Sequence, residues 1–103
     1  MGHARPRPKR LAEKLLHIRS TLGLSQTDMF WRLGVEDWIT YHRISAYERG
    51  KNEPPLIILL QYARAANVYV EALIDDELDL PDKLPSPTKS EGIKRKSSSR
   101  SKR

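Results

Sequence analysis

The side chains able to do chemistry in this chain are few, and most of them are cations. There is no cysteine, and His3, His17 and His42 are the only imidazoles among 103 residues. Disulfides, thiol nucleophiles and cysteine-ligated zinc are therefore excluded. Glu13 and His17 share a helix face, but a metal site needs three or four ligands. Gly50-Lys51 lacks the glycine-rich loop of a phosphate-binding enzyme. No nucleophile–base pair emerges, so the chain reads as a non-enzyme that needs no cofactor and no metal. What remains is a run of donors and small side chains at Thr40, Tyr41, His42, Arg43, Ser45, Ala46, Arg49 and Lys51. On a helix turning by about 100° per residue, with Ile44 facing inward, Arg49 falls about 140° away, His42 about 160° and Ala46 about 200°. Arg43 and Ser45 flank that outer face. Arginine can hydrogen-bond O6 and N7 of guanine, and alanine can touch a thymine methyl, so the face suits a major groove. Thr40 and Tyr41 stand at the helix start, where bases or backbone are reached. An ordinary solvated helix face is the plain alternative.

A second anion-directed feature precedes this helix. Ser25 reads as an N-cap with Asp28 three residues on, a shortened capping box. Gln26 then opens a helix whose free N–H groups and positive end suit a phosphate.

These positions need helices to hold them, and the apolar spacing supplies five. Leu11, Leu15, Ile18 and Leu22 recur at helical steps, and Gly23 is a plausible stop. The helix after Ser25 carries Met29 and Leu33, with Phe30 beside them, and ends at Gly34. Thr40 is the expected N-cap of a third helix running through Arg49, with Ile44 and Tyr47 inward and Gly50 as its close. Pro54 and Pro55 precede a fourth helix. Its expected buried stripe is Leu56, Leu59, Leu60, Ala63 and Ala66, and Asn67 can end it in the left-handed region. A short fifth helix holds Val70, Leu73 and Ile74. Nothing alternates with the period of a strand. The expected fold is all-α, a bundle of about five short helices over residues 9–80 with a helix-turn-helix. It lies between a basic arm at 1–8 and a basic Ser/Lys/Arg tail at 81–103, which is expected to be disordered because it has little apolar area.

Charge is segregated along this frame. Residues 1–24 carry six bases and one acid, and residues 83–103 carry eight bases and one acid. Residues 56–82 carry one base, Arg64, against Glu71, Asp75, Asp76, Glu77, Asp79 and Asp82. Basic flanks point to a polyanion. The acidic edge would repel one and is expected to face away from it, or to attract a basic segment. No apolar run approaches the ~20 residues that span a bilayer. No long apolar segment follows the basic first ten residues, as a secretory signal would require. The expected location is the cytoplasm, on the nucleoid when DNA is bound, with no membrane partner.

Three segments resemble a known family. Ser25-Gln26-Thr27-Asp28-Met29-Phe30-Trp31-Arg32-Leu33-Gly34-Val35 looks like the first half of a helix-turn-helix. Ile44-Ser45-Ala46-Tyr47-Glu48-Arg49-Gly50-Lys51-Asn52-Glu53-Pro54 looks like its second half and exit. Leu59-Leu60-Gln61-Tyr62-Ala63-Arg64-Ala65-Ala66-Asn67-Val68 continues the match. Together they are similar to the lambda-repressor-like, Xre/Cro-type DNA-binding domains, from about Leu11 to Leu78. The resemblance implies a sequence-specific, double-stranded-DNA-binding transcriptional regulator, with repression the expected direction. Its third helix would enter the major groove, and it would act as a homodimer. It also implies a structural pair between Arg19 and Glu48. An antitoxin or protein-interaction module with a toxin or regulator as partner is the alternative on the same fold.

Two departures stand out. Eight residues, 36–43, separate Val35 from Ile44, longer than the family's connection by about one helical turn. Phe30 also stands where the family prefers alanine. The two are read as coupled. A longer connection moves the third helix outward, makes room for the ring, and leaves Trp38 to cover the gap.

Overall fold

A computed structural model describes residues 7–84. The first six residues of the arm, and the tail from residue 85 on, lie outside the described residues. Five α-helices follow in order: α1 Leu11–Leu22, α2 Gln26–Leu33, α3 His42–Glu48, α4 Leu56–Ala66 and α5 Val70–Ile74. No strand occurs among the described residues, and the fold is an all-helical bundle. No helix among them is long and apolar enough to cross a membrane.

Local chemistry sets most helix ends. Ser25 Oγ accepts a hydrogen bond from the Asp28 amide at 3.0 Å and caps α2. Gly23 and Gly34 end α1 and α2 in the left-handed region, and Asn67 ends α4 there with φ 60°. Asparagine tolerates that conformation better than most side chains.

α1 is the hub. It packs on α3, α4 and α5, while α2 packs on α3 and α4. Leu11, Leu15 and Ile18 from α1 meet Met29, Phe30 and Leu33 from α2, with Val35, Ile44 and Tyr47. Ile58, Leu59, Tyr62, Ala63 and Ala66 from α4 and Leu73 from α5 complete one core. Burial of this apolar area is what holds short helices that would be marginal alone.

The structure corrects three expectations, on the cap of α3, its end and the buried face of α4. α3 begins at His42, and Thr40 does not cap it. Tyr41 is the residue before the first helical position, no side chain caps the helix, and the Thr40 carbonyl instead accepts the Arg43 amide at 3.1 Å. α3 also ends at Glu48, with Arg49 just outside it. The buried face of α4 is rotated from the expected stripe: Leu56 is 82% exposed and Leu60 half-buried, while Ile58 and Tyr62 are buried. Residues 56–60 are all apolar, so periodicity there does not choose a face. On α5, Leu73 is buried but Ile74 is exposed.

Two charged contacts bind the ends of the bundle together, across more than 55 residues of chain. The Lys14 ammonium is buried and donates to the carbonyls of Ala72 at 2.8 Å and Asp75 at 2.9 Å. A cation at the end of a helix is favourable, because unpaired carbonyls collect there. In the other direction, the Asp76 carboxylate accepts the backbone amides of Lys9 at 2.9 Å and Arg10 at 3.0 Å. It supplies the cap that α1 lacks locally. Those two amide bonds, Lys9 first and Arg10 second, hold the Asp76 carboxyl below the usual carboxylate range, with the charges of Lys14 and Arg10 adding to the effect. A depressed folded-state pKa stabilises the fold above the unfolded aspartate value, about 3.9, and that stability is lost as pH falls through the folded value. Wild-type protein is therefore expected to lose more thermal stability on acidification below about pH 4 than Asp76→Asn does. Parallel melting curves for the two proteins at neutral and acid pH check this, and equal acid losses would contradict it.

Candidate nucleic-acid interface

The outer surface of α3 begins with what the helix keeps inside. Ile44 and Tyr47 are in the core. Glu48, the only carboxylate on α3, also turns inward, with its side chain 4% exposed. Arg19 from α1 meets it in a fork: Nε donates to Oε2 at 2.6 Å and Nη2 to Oε1 at 3.0 Å. The remaining end of the guanidinium donates through Nη1 to the Leu24 carbonyl at 3.0 Å. Gln26 Nε2 donates to Glu48 Oε1 at 3.0 Å. One buried carboxylate thus ties α1, the α1–α2 turn, α2 and α3 together. Two-point geometry of this kind is the strong form of an ion pair. Next to it Tyr62 is fully buried, and its hydroxyl meets no partner among the described residues. Burial, and then the charge of Glu48, push that hydroxyl far above its ordinary value.

With Glu48 turned inward, α3 shows only neutral and basic groups to solvent. His42, Arg43 and Arg49 are exposed, and Ser45 and Ala46 are half-buried. Lys51 and Thr40 are exposed beside them. Arg43 Nη1 donates to Asn52 Oδ1 at 3.3 Å. Arg49 Nε donates to Ser45 Oγ at 3.1 Å and less closely to the Ser45 carbonyl. Arg43 also lies near Tyr47: burial pushes the Tyr47 hydroxyl up, and the Arg43 charge opposes that rise.

Arg7, Arg10 and Arg19 behave differently, since each pairs with a carboxylate. Arg7 meets Glu53 at 3.8 Å, Arg10 meets Asp79 at 2.7 Å and Glu13 at 3.2 Å, and Arg19 meets Glu48. Part of the acidic edge is thereby used within the fold: Asp76 and Asp79 serve the start of α1, and Asp75 serves Lys14 through its carbonyl. His17 is directed to the Pro81 carbonyl at 3.3 Å, not to Glu13. Among the described residues no group of three His, Asp or Glu side chains could hold a metal ion.

No family model, no curated protein and no solved structure matches this chain.

The long connection between α2 and α3 is ordered. The amides of Trp38 and Ile39 both bond the Val35 carbonyl, at 2.9 and 3.1 Å, so the extra residues coil into a tight turn. Phe30 is buried at 6% exposure. Trp38 is 56% exposed. Trp31 and Tyr41 flank the ring edge-on, with centroids 5.0 and 6.5 Å away. Tyr41 in turn lies 4.2 Å from the His42 ring. The turn ends by delivering Tyr41 against Phe30, immediately before α3 begins at His42.

The sequence groups the α3 surface residues but does not show how they are held. In it, Asn52 is only part of the helix exit. The start of α2 at Gln26 reads as a phosphate site through its backbone N–H groups, and in the fold the Gln26 side-chain amide donates to Glu48. Neither contact has a local signature, because each joins residues that only the folded chain brings together.

Proposed function

We propose that this chain is a sequence-specific double-stranded-DNA-binding regulator of transcription that lays α3 in the major groove. The observation that carries the reading is the surface of α3. Its only carboxylate is buried against Arg19, and two exposed arginines, Arg43 on the helix and Arg49 just after it, are bonded to neutral oxygens. Their positive charge stays available to phosphates and base edges, which are the acceptors a duplex offers. The resemblance of residues 25–35, 44–54 and 59–68 to Xre/Cro-type domains supports the same reading. A two-fold pair of such domains would place two α3 helices about one turn of duplex apart, matching a palindromic site. The basic flanks add affinity for any duplex, whatever its sequence.

Selection of bound sequences from a random duplex pool tests this, and a two-fold consensus is expected. Arg43 lies in the first turn of α3, close to where base edges are read. Arg43→Ala is expected to cost about 1–3 kcal/mol on the preferred site and to relax one base position. Arg49 follows the last turn, where a phosphate is the natural partner. Arg49→Ala is expected to weaken all duplexes alike and to reduce the salt slope by about one unit. Enrichment of no duplex would overturn the reading in favour of a protein-interaction module.

A further inference from the structure

The contact between Arg43 and Asn52 joins the first turn of α3 to a residue beyond the helix. The chain must fold back for it to form. Gly50 adopts φ 74°, in the left-handed region, and the next two amides return to α3. Lys51 N–H bonds the Ala46 carbonyl at 2.9 Å, and Asn52 N–H approaches the same oxygen at 3.5 Å. This hook lays Asn52 along the helix, where its Oδ1 meets Arg43 Nη1 at 3.3 Å. A guanidinium carries five N–H donors in a rigid planar fork. One bond to a fixed acceptor restrains the plane of the fork and leaves the other donors for a partner.

The type of acceptor matters as much as its place. A carboxylate would hold the arginine more strongly and would also cancel its charge. An amide oxygen holds the fork and leaves the charge intact. We infer that Asn52 is a positioning residue that aims the Arg43 fork at a guanine, so that base preference at one step of the site depends on a residue outside α3. This inference rests on the DNA-binding reading above and adds the residue that makes Arg43 selective.

Duplex selection with the full-length chain and its variants tests it. Asn52→Ala is expected to relax the same base position as Arg43→Ala. The loss of discrimination there should be on the order of tenfold, within the range that one guanine contact supplies. Asn52→Asp keeps an oxygen in place and adds a negative charge. It should retain the preference at that position while weakening every duplex alike. Asn52 is exposed, so thermal melts of both variants should match wild type. The double variant Asn52→Ala/Arg43→Ala should lose no more discrimination than Arg43→Ala alone. If Arg43→Ala relaxes a position and Asn52→Ala leaves it intact, the positioning role is wrong and the DNA reading stands. The positioning role is equally wrong if Asn52→Ala weakens all duplexes uniformly. If wild type enriches no duplex, both readings fall together.

Discussion

Glu48→Ala is expected to cost about 3–5 kcal/mol of folding stability, the usual consequence of removing one partner of a buried ion pair. The carboxylate is 4% exposed and accepts three hydrogen bonds from two side chains, Arg19 and Gln26. Its removal leaves the half-buried Arg19 guanidinium with only the Leu24 carbonyl. It also releases α3 from α1 and α2 at one point. Small domains have about 5–15 kcal/mol in total, so the loss is a large share of the stability. Denaturant unfolding followed by circular dichroism measures the loss. A value below about 1 kcal/mol, typical of an exposed pair, would mean that the geometry counts for little. Burial also predicts the sign of a second experiment. Replacing both partners, Arg19→Met with Glu48→Leu, should recover much of the stability, because no charge is then left unpaired.

Phe30→Ala is expected to cost a similar amount, about 3–5 kcal/mol, through lost apolar burial and the cavity left behind. The ring is 6% exposed and is flanked edge-on by Trp31 and Tyr41. Phe30 lies inside α2, whereas Tyr41 directly precedes α3, so the contact links the two helices at the end of the long turn. A double-mutant cycle between Phe30→Ala and Tyr41→Ala should show coupling of about 0.5–1.5 kcal/mol, the scale for an aromatic pair. A thermal melt with no loss for Phe30→Ala would contradict the link between the ring and the long connection.

Much of the architecture is legible in the chain because it depends on neighbours a few residues apart. The capping serine at 25, the stops at Gly23, Gly34 and Asn67, and the inward positions of α1 and α2 all follow from local φ/ψ preferences and the 3.6-residue period. The inward turn of Glu48 follows from its helical angle, about 40° from Ile44, and its pairing with Arg19 from the resemblance alone.

The failures have equally specific causes. Five consecutive apolar residues, 56–60, carry no phase information, so the packing of α4 against α1, α2 and α5 chose its face and left Leu56 outside. Thr40 has the right side chain for a cap but sits one position too early, because the turn at residues 35–39 sets where α3 begins.

Helical character, the places where most helices stop and the division of charge into blocks are written in the chain, because propensity, period and composition set them. Which charges cancel and which stay available is settled only by folding. Asp76 reaches α1, Lys14 reaches the end of α5, and Asn52 reaches Arg43 only after the helices dock and the chain turns at Gly50. The Asp76 and Lys14 contacts join residues more than 55 positions apart, so only the relative placement of packed helices brings each donor within hydrogen-bonding distance of its acceptor.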